Sequence, residues 1–223
     1  LPFLNEEAQV LILYGDVPLT KTSSLEKLLT LSDESTMVVL TSEVKSPEGL
    51  GRIVRDAEGN VEAIVEEKEA NEKQRLIYEI NTGIMVFPVK KLKELLPKIN
   101  NKNIAKEYYL TDIVSLALQD KCQVKTSFCH DEYEAYGANN LLQLASLEKI
   151  YQNQKASELM LKGVKIMDPS RFDVRGVVDI SADVKIDINV IIEGKVSIES
   201  NVIIGANCIL KNCTINQGTE IFP

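Results

Sequence analysis

The sequence predicts an α/β fold followed by the first coils of a parallel β-helix, and two observations carry that prediction. Up to residue 165, short apolar runs of strand length alternate with segments whose apolar residues fall at helical spacing. That order builds a sheet covered by helices. From residue 166 the period changes to six, with apolar residues at Ile180, Ile186, Ile192, Ile198, Ile204 and Leu210. Four residues after each comes a small or β-branched one: Val184, Val190, Val196, Val202, Cys208 and Thr214. Ile215 and Ile221 continue the series after a one-residue slip. This is the hexapeptide repeat of a parallel β-helix. Three such strands complete a coil, so Ile186 and Ile204 should stack on successive coils. The repeat is long enough for between two and three coils.

Bulk properties narrow the function. The chain has 223 residues and a net charge of −8, with no long basic run, so nucleic acid is not an expected partner. No apolar run approaches the length of a membrane span. The opening Leu1-Pro2-Phe3-Leu4-Asn5 lacks the basic region and cleavage pattern of a signal peptide. The four cysteines, Cys122, Cys129, Cys208 and Cys213, form no C-x-x-C pair, and His130 is the single histidine, so a zinc site is not expected. Cys129 and His130 are adjacent on a strand and point to opposite faces, which argues against a nucleophile and its base. The cysteines read as reduced small hydrophobes, and the location as cytoplasmic.

Taken in order, Val10-Leu11-Ile12-Leu13 reads as a buried strand and Tyr14-Gly15-Asp16-Val17-Pro18-Leu19 as the turn after it. An acid at the carboxyl end of a strand in an open α/β sheet sits where such sheets bind ligands. Asp16 is therefore a candidate carboxylate for a divalent metal held against phosphate oxygens, the alternative being an ordinary turn aspartate. Ser23 or Ser24 is expected to cap a helix carrying Leu25, Leu28 and Leu29, and Thr36–Thr41 is a second buried strand. A strand, a helix and a strand in this order favour a parallel sheet.

The loop Ser46–Arg52 has two glycines that allow close backbone approach to a ligand or simply shape a turn. Arg52–Arg55 and Val61–Glu66 read as the arms of a hairpin. Glu66, at a strand end, is placed to reach a sugar hydroxyl, whereas Glu67-Lys68-Glu69 reads as solvated face. Asn71 caps a short helix through Leu76. Asn81-Thr82-Gly83, set into the apolar run Ile80–Phe87, marks either a bulge or a ligand contact. An amphipathic helix follows from Val89 to Ile99, then a helix from Ile113 with Thr111 as its cap, and a strand over Cys122–Phe128. A long helix runs from about Leu141 to Leu161, with Leu144, Leu147, Ile150 and Tyr151 at helical spacing. Asn139 at its start is either the N-cap or a ligand at the same helix entry.

Tyr14–Leu19, Gly49-Leu50-Gly51-Arg52-Ile53, Ile64-Val65-Glu66, Glu79–Gly83, Glu107–Asp112 and Gly137-Ala138-Asn139-Asn140 occur together in a family order and spacing. Arg171–Gly176 and Asn189–Gly194 add to it. Together they resemble the bacterial bifunctional enzyme that makes UDP-N-acetylglucosamine, an N-acetylglucosamine-1-phosphate uridylyltransferase joined to a glucosamine-1-phosphate N-acetyltransferase. The resemblance implies three parts: a Rossmann-like nucleotidyltransferase domain over 1–138 whose N-terminal part is missing, a connecting helix and linker over 139–168, and the start of a left-handed β-helix over 169–223 that trimerises. It implies UTP and N-acetylglucosamine 1-phosphate as substrates, UDP-N-acetylglucosamine as product and Mg2+ as cofactor, with acetyl-CoA used by the second domain. By resemblance, Asp16 and Asn139 are the magnesium ligands, and Tyr14 and Gly15 lie against the nucleotide sugar. Gly51, Glu66 and Asn81 likewise contact the N-acetylglucosamine part.

Two departures matter. The family's glycine-rich, lysine-bearing phosphate loop does not occur in this sequence, and its uracil contacts would lie in the same missing part. The acetyltransferase site needs a catalytic histidine in later coils, and His130 lies in the first domain. No catalytic residue is therefore assigned, and the sequence reads as an internal fragment with little or no turnover by itself. The alternatives are another sugar-1-phosphate nucleotidyltransferase, adenylyl or thymidylyl, and a non-catalytic β-helix scaffold.

Overall fold

A computed structural model describes residues 3–223; Leu1 and Pro2, part of the opening segment considered above, lie outside the described residues. The chain divides into two compact units, one ending at Asn139 and one spanning Asn140–Pro223.

The first unit is built on one six-stranded sheet of order β4-β3-β5-β2-β6, with β1 also paired to β5. Its strands are β1 Gln9–Ile12, β2 Thr36–Glu43, β3 Arg52–Arg55, β4 Val61–Val65, β5 Glu79–Pro88 and β6 Gln123–Cys129. β1 and β2 run in the same direction, as a strand–helix–strand unit requires, but β5 lies between them antiparallel to both. The sheet is therefore mixed, and β2 against β6 is its parallel pair. The composition of β5 explains its central place. Residues 80–88 are buried throughout, with Met85 and Phe87 packing into one cluster and Ile84 and Val86 into the other. A strand apolar on both faces is stable only when covered on both.

Helices provide that cover. Leu28 of α1 (Thr22–Leu31) packs against Val38, Leu40, Ile84 and Val86. Leu92 and Leu95 of α3 (Val89–Leu95) and Ile113, Val114 and Ala117 of α4 (Asp112–Gln119) cover the opposite face. The short α2 (Glu72–Arg75) begins with a full capping box between Asn71 and Gln74.

Two caps differ from the sequence expectation. Ser23 and Ser24 lie inside α1, and the cap position is Lys21, whose N–H donates to the buried Glu134 carboxylate at 3.0 Å. A carboxylate at a helix N-terminus satisfies an orphan donor and complements the dipole, so a serine cap is not needed. Thr111 occupies the cap position of α4, but its side chain makes no cap bond. Cys129 is buried while His130 is exposed with its ring against Phe128, in keeping with opposite faces of the chain.

The second unit combines α5 (Leu141–Leu161) with a parallel β-solenoid of about three turns that matches a left-handed β-helix. The rungs stack as the repeat predicts. Phe172–Ile180 (β8) pairs residue by residue with Val190–Ile198 (β10), and β10 pairs in turn with Ile209–Lys211 (β12) and Thr214–Ile215 (β13). Lys165–Ile166, Lys185–Ile186, Ile203–Ile204 and Glu220–Ile221 (β7, β9, β11 and β14) form a second wall. Because β7 already pairs with β9, the Asp168–Arg171 stretch is a turn inside the first coil.

The slip in the repeat falls one position earlier than the spacing suggested. Cys213 packs inward and Thr214 is exposed, because the shortened coil is bridged at Asn212. Its side-chain Oδ1 accepts the Lys195 N–H at 3.0 Å, a bond that a backbone carbonyl makes elsewhere in the ladder. The corners are left-handed, with positive φ at Asp183, Asn189, Asn201, Asn207 and Asn212. Asn and Asp tolerate that conformation better than other side-chain-bearing residues.

The buried line of α5 is Leu147, Gln152, Ala156 and Leu159, whereas Leu144 is 48% exposed. Ala156 and Leu159 join the solenoid core. Gln152 meets the edge of β8 with both ends of its amide: Nε2 donates to Val174 O at 3.0 Å, and Oε1 accepts the Val174 N–H at 2.7 Å. An open strand edge is thereby satisfied by one side chain. The helix cap is Asn140, whose side chain accepts the Gln143 N–H at 2.9 Å, so capping does not account for Asn139.

Candidate functional site

The carboxyl ends of β1, β2 and β6 and the amino end of β5 meet at one edge of the sheet, because β5 runs against the other three. The turn after β1 lies there. Its Val17 N–H donates to Tyr14 O at 3.4 Å, placing Gly15 and Asp16 at its apex.

β5 supplies the floor. Between Val39 and Thr41 its register against β2 shifts, and the extra residues form a bulge at Asn81-Thr82-Gly83. One bond to β2 and two local ones hold it: Thr82 Oγ1 donates to Leu40 O at 2.9 Å, Gly83 N–H to Asn81 Oδ1 at 3.0 Å, and Ile84 N–H to Thr82 Oγ1 at 3.2 Å. The Tyr14 ring lies directly over Gly83, where φ is +82° and an added Cβ would fall 2.1 Å from the ring. A bulge therefore explains the glycine, and the group resting on it is Tyr14. Burial, followed by the charges of Glu66 and Asp16, raises the Tyr14 phenol pKa. The three side chains thus share one electrostatic environment.

The loop that precedes β3 joins from the other side. Gly51 O accepts the Asn81 N–H at 2.8 Å, fixing the loop to the bulge. A Cβ on Gly51 would sit 3.4 and 3.5 Å from the Glu66 carboxylate oxygens, so Glu66 lies across this glycine. Beneath it, the 1%-exposed Arg52 guanidinium donates to Leu50 O and to Glu67 Oε2, the latter at 2.7 Å. Glu67 also accepts the Gly49 N–H at 3.3 Å and meets Arg75 at 3.3 Å. Burial opposes ionisation of Glu67, but the Arg52 bond, the Gly49 N–H and the two arginine charges together lower its pKa. Glu67 is therefore a tether of the glycine loop rather than solvated face.

The last side of the site is the stretch before α5. The Ala138 N–H donates to Asp16 O at 2.9 Å, and the Asp16 carboxylate reaches within 3.5 Å of a Cβ built on Gly137. Asn139, next in the chain, is thereby carried to the Asp16 turn. The described residues contain no group of three or more His, Cys, Asp or Glu able to hold a metal ion. The exposed Asp16 carboxylate and the amide of Asn139, which follows the Ala138 bonded to the Asp16 backbone, are oxygen donors of the kind magnesium takes from a protein.

Thus the structure brings together Tyr14, Gly15, Asp16, Gly51, Glu66 and Asn81, with Asn139 following the Asp16-bound segment. No family model matches the chain. Similarity to curated proteins covers almost its whole length. It is 49% identical over 221 residues to the bifunctional protein GlmU of Acinetobacter baumannii strain AYE, an alignment covering 99% of this chain and 48% of that protein. Identity to the bifunctional protein GlmU of Paraburkholderia phymatum is 48%, covering 99% of this chain and 49% of that protein. For that of Marinobacter nauticus it is 46%, with the same coverages of 99% and 49%.

The chain is a homologue of the GlmU proteins. It spans about half the length of the GlmU relatives it matches. It is built of two units of different architecture. Among the described residues no helix is long and apolar enough to cross a membrane.

Two features of the site were not singled out in the sequence. Thr111 donates its hydroxyl to Glu66 Oε1 at 2.7 Å across 45 residues of chain. Spacing marked Thr111 only as a cap. Gly83 was marked as part of a polar triplet, but nothing local to it points to Tyr14.

Proposed function

We propose that the first unit carries the uridylyl-transfer site of a bifunctional UDP-N-acetylglucosamine-forming enzyme. In this reaction a phosphate oxygen of N-acetylglucosamine 1-phosphate bonds to the α-phosphorus of UTP. The bond from that phosphorus to the β-phosphate bridging oxygen breaks, pyrophosphate leaves and UDP-N-acetylglucosamine forms. The observation that carries the proposal is the convergence of the Tyr14–Asp16 turn, Gly51, Glu66, Asn81 and the 137–139 segment on one sheet edge. Nearly half-identity to proteins named GlmU supports it.

Each residue has a role that follows from its chemistry. Asp16 and Asn139 supply oxygen donors for Mg2+, which when bound offsets phosphate charge during the displacement. Glu66 accepts from a sugar hydroxyl. Asn81 spends its carbonyl oxygen on the Gly83 N–H, so its NH2 group is what it presents to the sugar. Gly51 leaves room for the ligand beside the Glu66 carboxylate, and Tyr14 and Gly15 flank the nucleotide sugar. The second unit is, in the same proposal, the start of the trimeric β-helix that uses acetyl-CoA.

Calorimetric titration with UDP-N-acetylglucosamine, with and without Mg2+, tests the reading on this chain and on Asp16→Ala. Magnesium should tighten binding to the unaltered chain at least about tenfold, and the substitution should abolish that gain. Magnesium-dependent binding that survives Asp16→Ala would show the metal assignment to be wrong.

A further inference from the structure

Thr111 is 4% exposed and occupies a helix-cap position, where a threonine side chain ordinarily accepts a backbone N–H. It makes no cap bond, and its hydroxyl instead donates to Glu66 Oε1 at 2.7 Å. A short hydrogen bond to an ionised acceptor is about twice as strong as a neutral one, which outweighs the forgone cap. On its other side the Glu66 carboxylate rests across Gly51, whose loop is fixed by the buried Arg52 and by Glu67. The carboxylate is thus held on two sides. Oε1 is occupied by the Thr111 hydroxyl, while Oε2 accepts no hydrogen bond from any described residue.

We propose that Thr111 is a positioning residue, which fixes the Glu66 carboxylate so that Oε2 alone accepts from a hydroxyl of the bound sugar. The proposal rests on the reading of Glu66 as a sugar contact. It implies that Thr111 acts through Glu66, so its influence on binding should vanish when Glu66 has no carboxylate. A threonine that merely supported α4 would weaken binding equally in both backgrounds.

The experiment is a thermodynamic cycle with UDP-N-acetylglucosamine as the calorimetric probe and Mg2+ present throughout. It uses the 223-residue chain, Thr111→Val, Glu66→Ala and the double variant. Thr111→Val should weaken binding about tenfold, and Thr111→Ser, which restores the hydroxyl, should return it to within about twofold. In the Glu66→Ala background Thr111→Val should change nothing further. Thr111→Ala takes the place of the valine variant if circular dichroism shows that variant unfolded. A tenfold loss that persists undiminished without Glu66, or no loss at all, overturns the positioning role and leaves the site reading intact. Absence of binding by the unaltered chain overturns the site reading and this inference with it.

Discussion

Replacing Gly83 by alanine should damage the site in two separable ways. The first is conformational. Gly83 has φ of +82°, and a side chain in this left-handed region costs roughly 1–2 kcal/mol. The second is steric. The new Cβ would lie 2.1 Å from Tyr14 Cε2 and 2.5 Å from Cδ2. Carbon atoms pack at about 3.5 Å, so the ring must retreat by roughly 1.4 Å. Tyr14 is 43% exposed and can swing toward solvent, which limits the clash to about 1–2 kcal/mol, the low end of overpacking costs.

The total is therefore about 2–4 kcal/mol, of which about half should disappear when Tyr14 is first shortened to alanine. Native-state hydrogen exchange of the β5 amides measures this, because it reports the stability of the first unit itself. A double-mutant cycle of Gly83→Ala and Tyr14→Ala should show coupling of about 1–2 kcal/mol. An equal cost of Gly83→Ala with and without the tyrosine ring would falsify the placement of Tyr14 on the bulge.

The remaining predictions concern the second unit. Gln152→Leu should destabilise it by about 2–5 kcal/mol, since the Val174 N–H and C=O would both be left buried without partners. Accelerated exchange at the Val174 amide would accompany that loss, and unchanged exchange would mean the pairing does not exist. Asp168 is held down to a pKa of about 2 by the Ser170 hydroxyl, then the Arg171 guanidinium, then the Ser170 N–H. Because the folded pKa is depressed, its contribution is complete above the ordinary value of 3.8 and is lost as pH falls toward about 2. Acid unfolding followed by circular dichroism should lose this limb of pH dependence in Asp168→Asn, and an unchanged profile would refute it.

Legibility from sequence followed the range of the interactions. The solenoid was readable almost residue by residue, because each inward position repeats at a fixed interval and buries the same kind of side chain. Even there, the exact place of the slip depended on Asn212 supplying a side-chain oxygen to the ladder. Strands and helices of the first unit were readable in position but not in pairing. The bulge in β5 was visible as a polar triplet, yet its partner Tyr14 was not, because nothing local to either residue encodes the contact. The spacing names Asn139 as either the cap of α5 or a ligand, and only the backbone geometry gives the cap to Asn140.

What the sequence by itself determined is the α/β unit, the β-helix repeat and the residue types a phosphate-sugar site would need. These are properties of periodicity and local chemistry, which the chain displays without folding. What only the tertiary structure decided is that β5 runs antiparallel between β1 and β2. It also decided that Tyr14 rests on Gly83, and that the Thr111 hydroxyl bonds to Glu66. Each joins residues far apart in the chain, and the free energy that selects them comes from closing those distances around a shared core. No window of sequence contains that term.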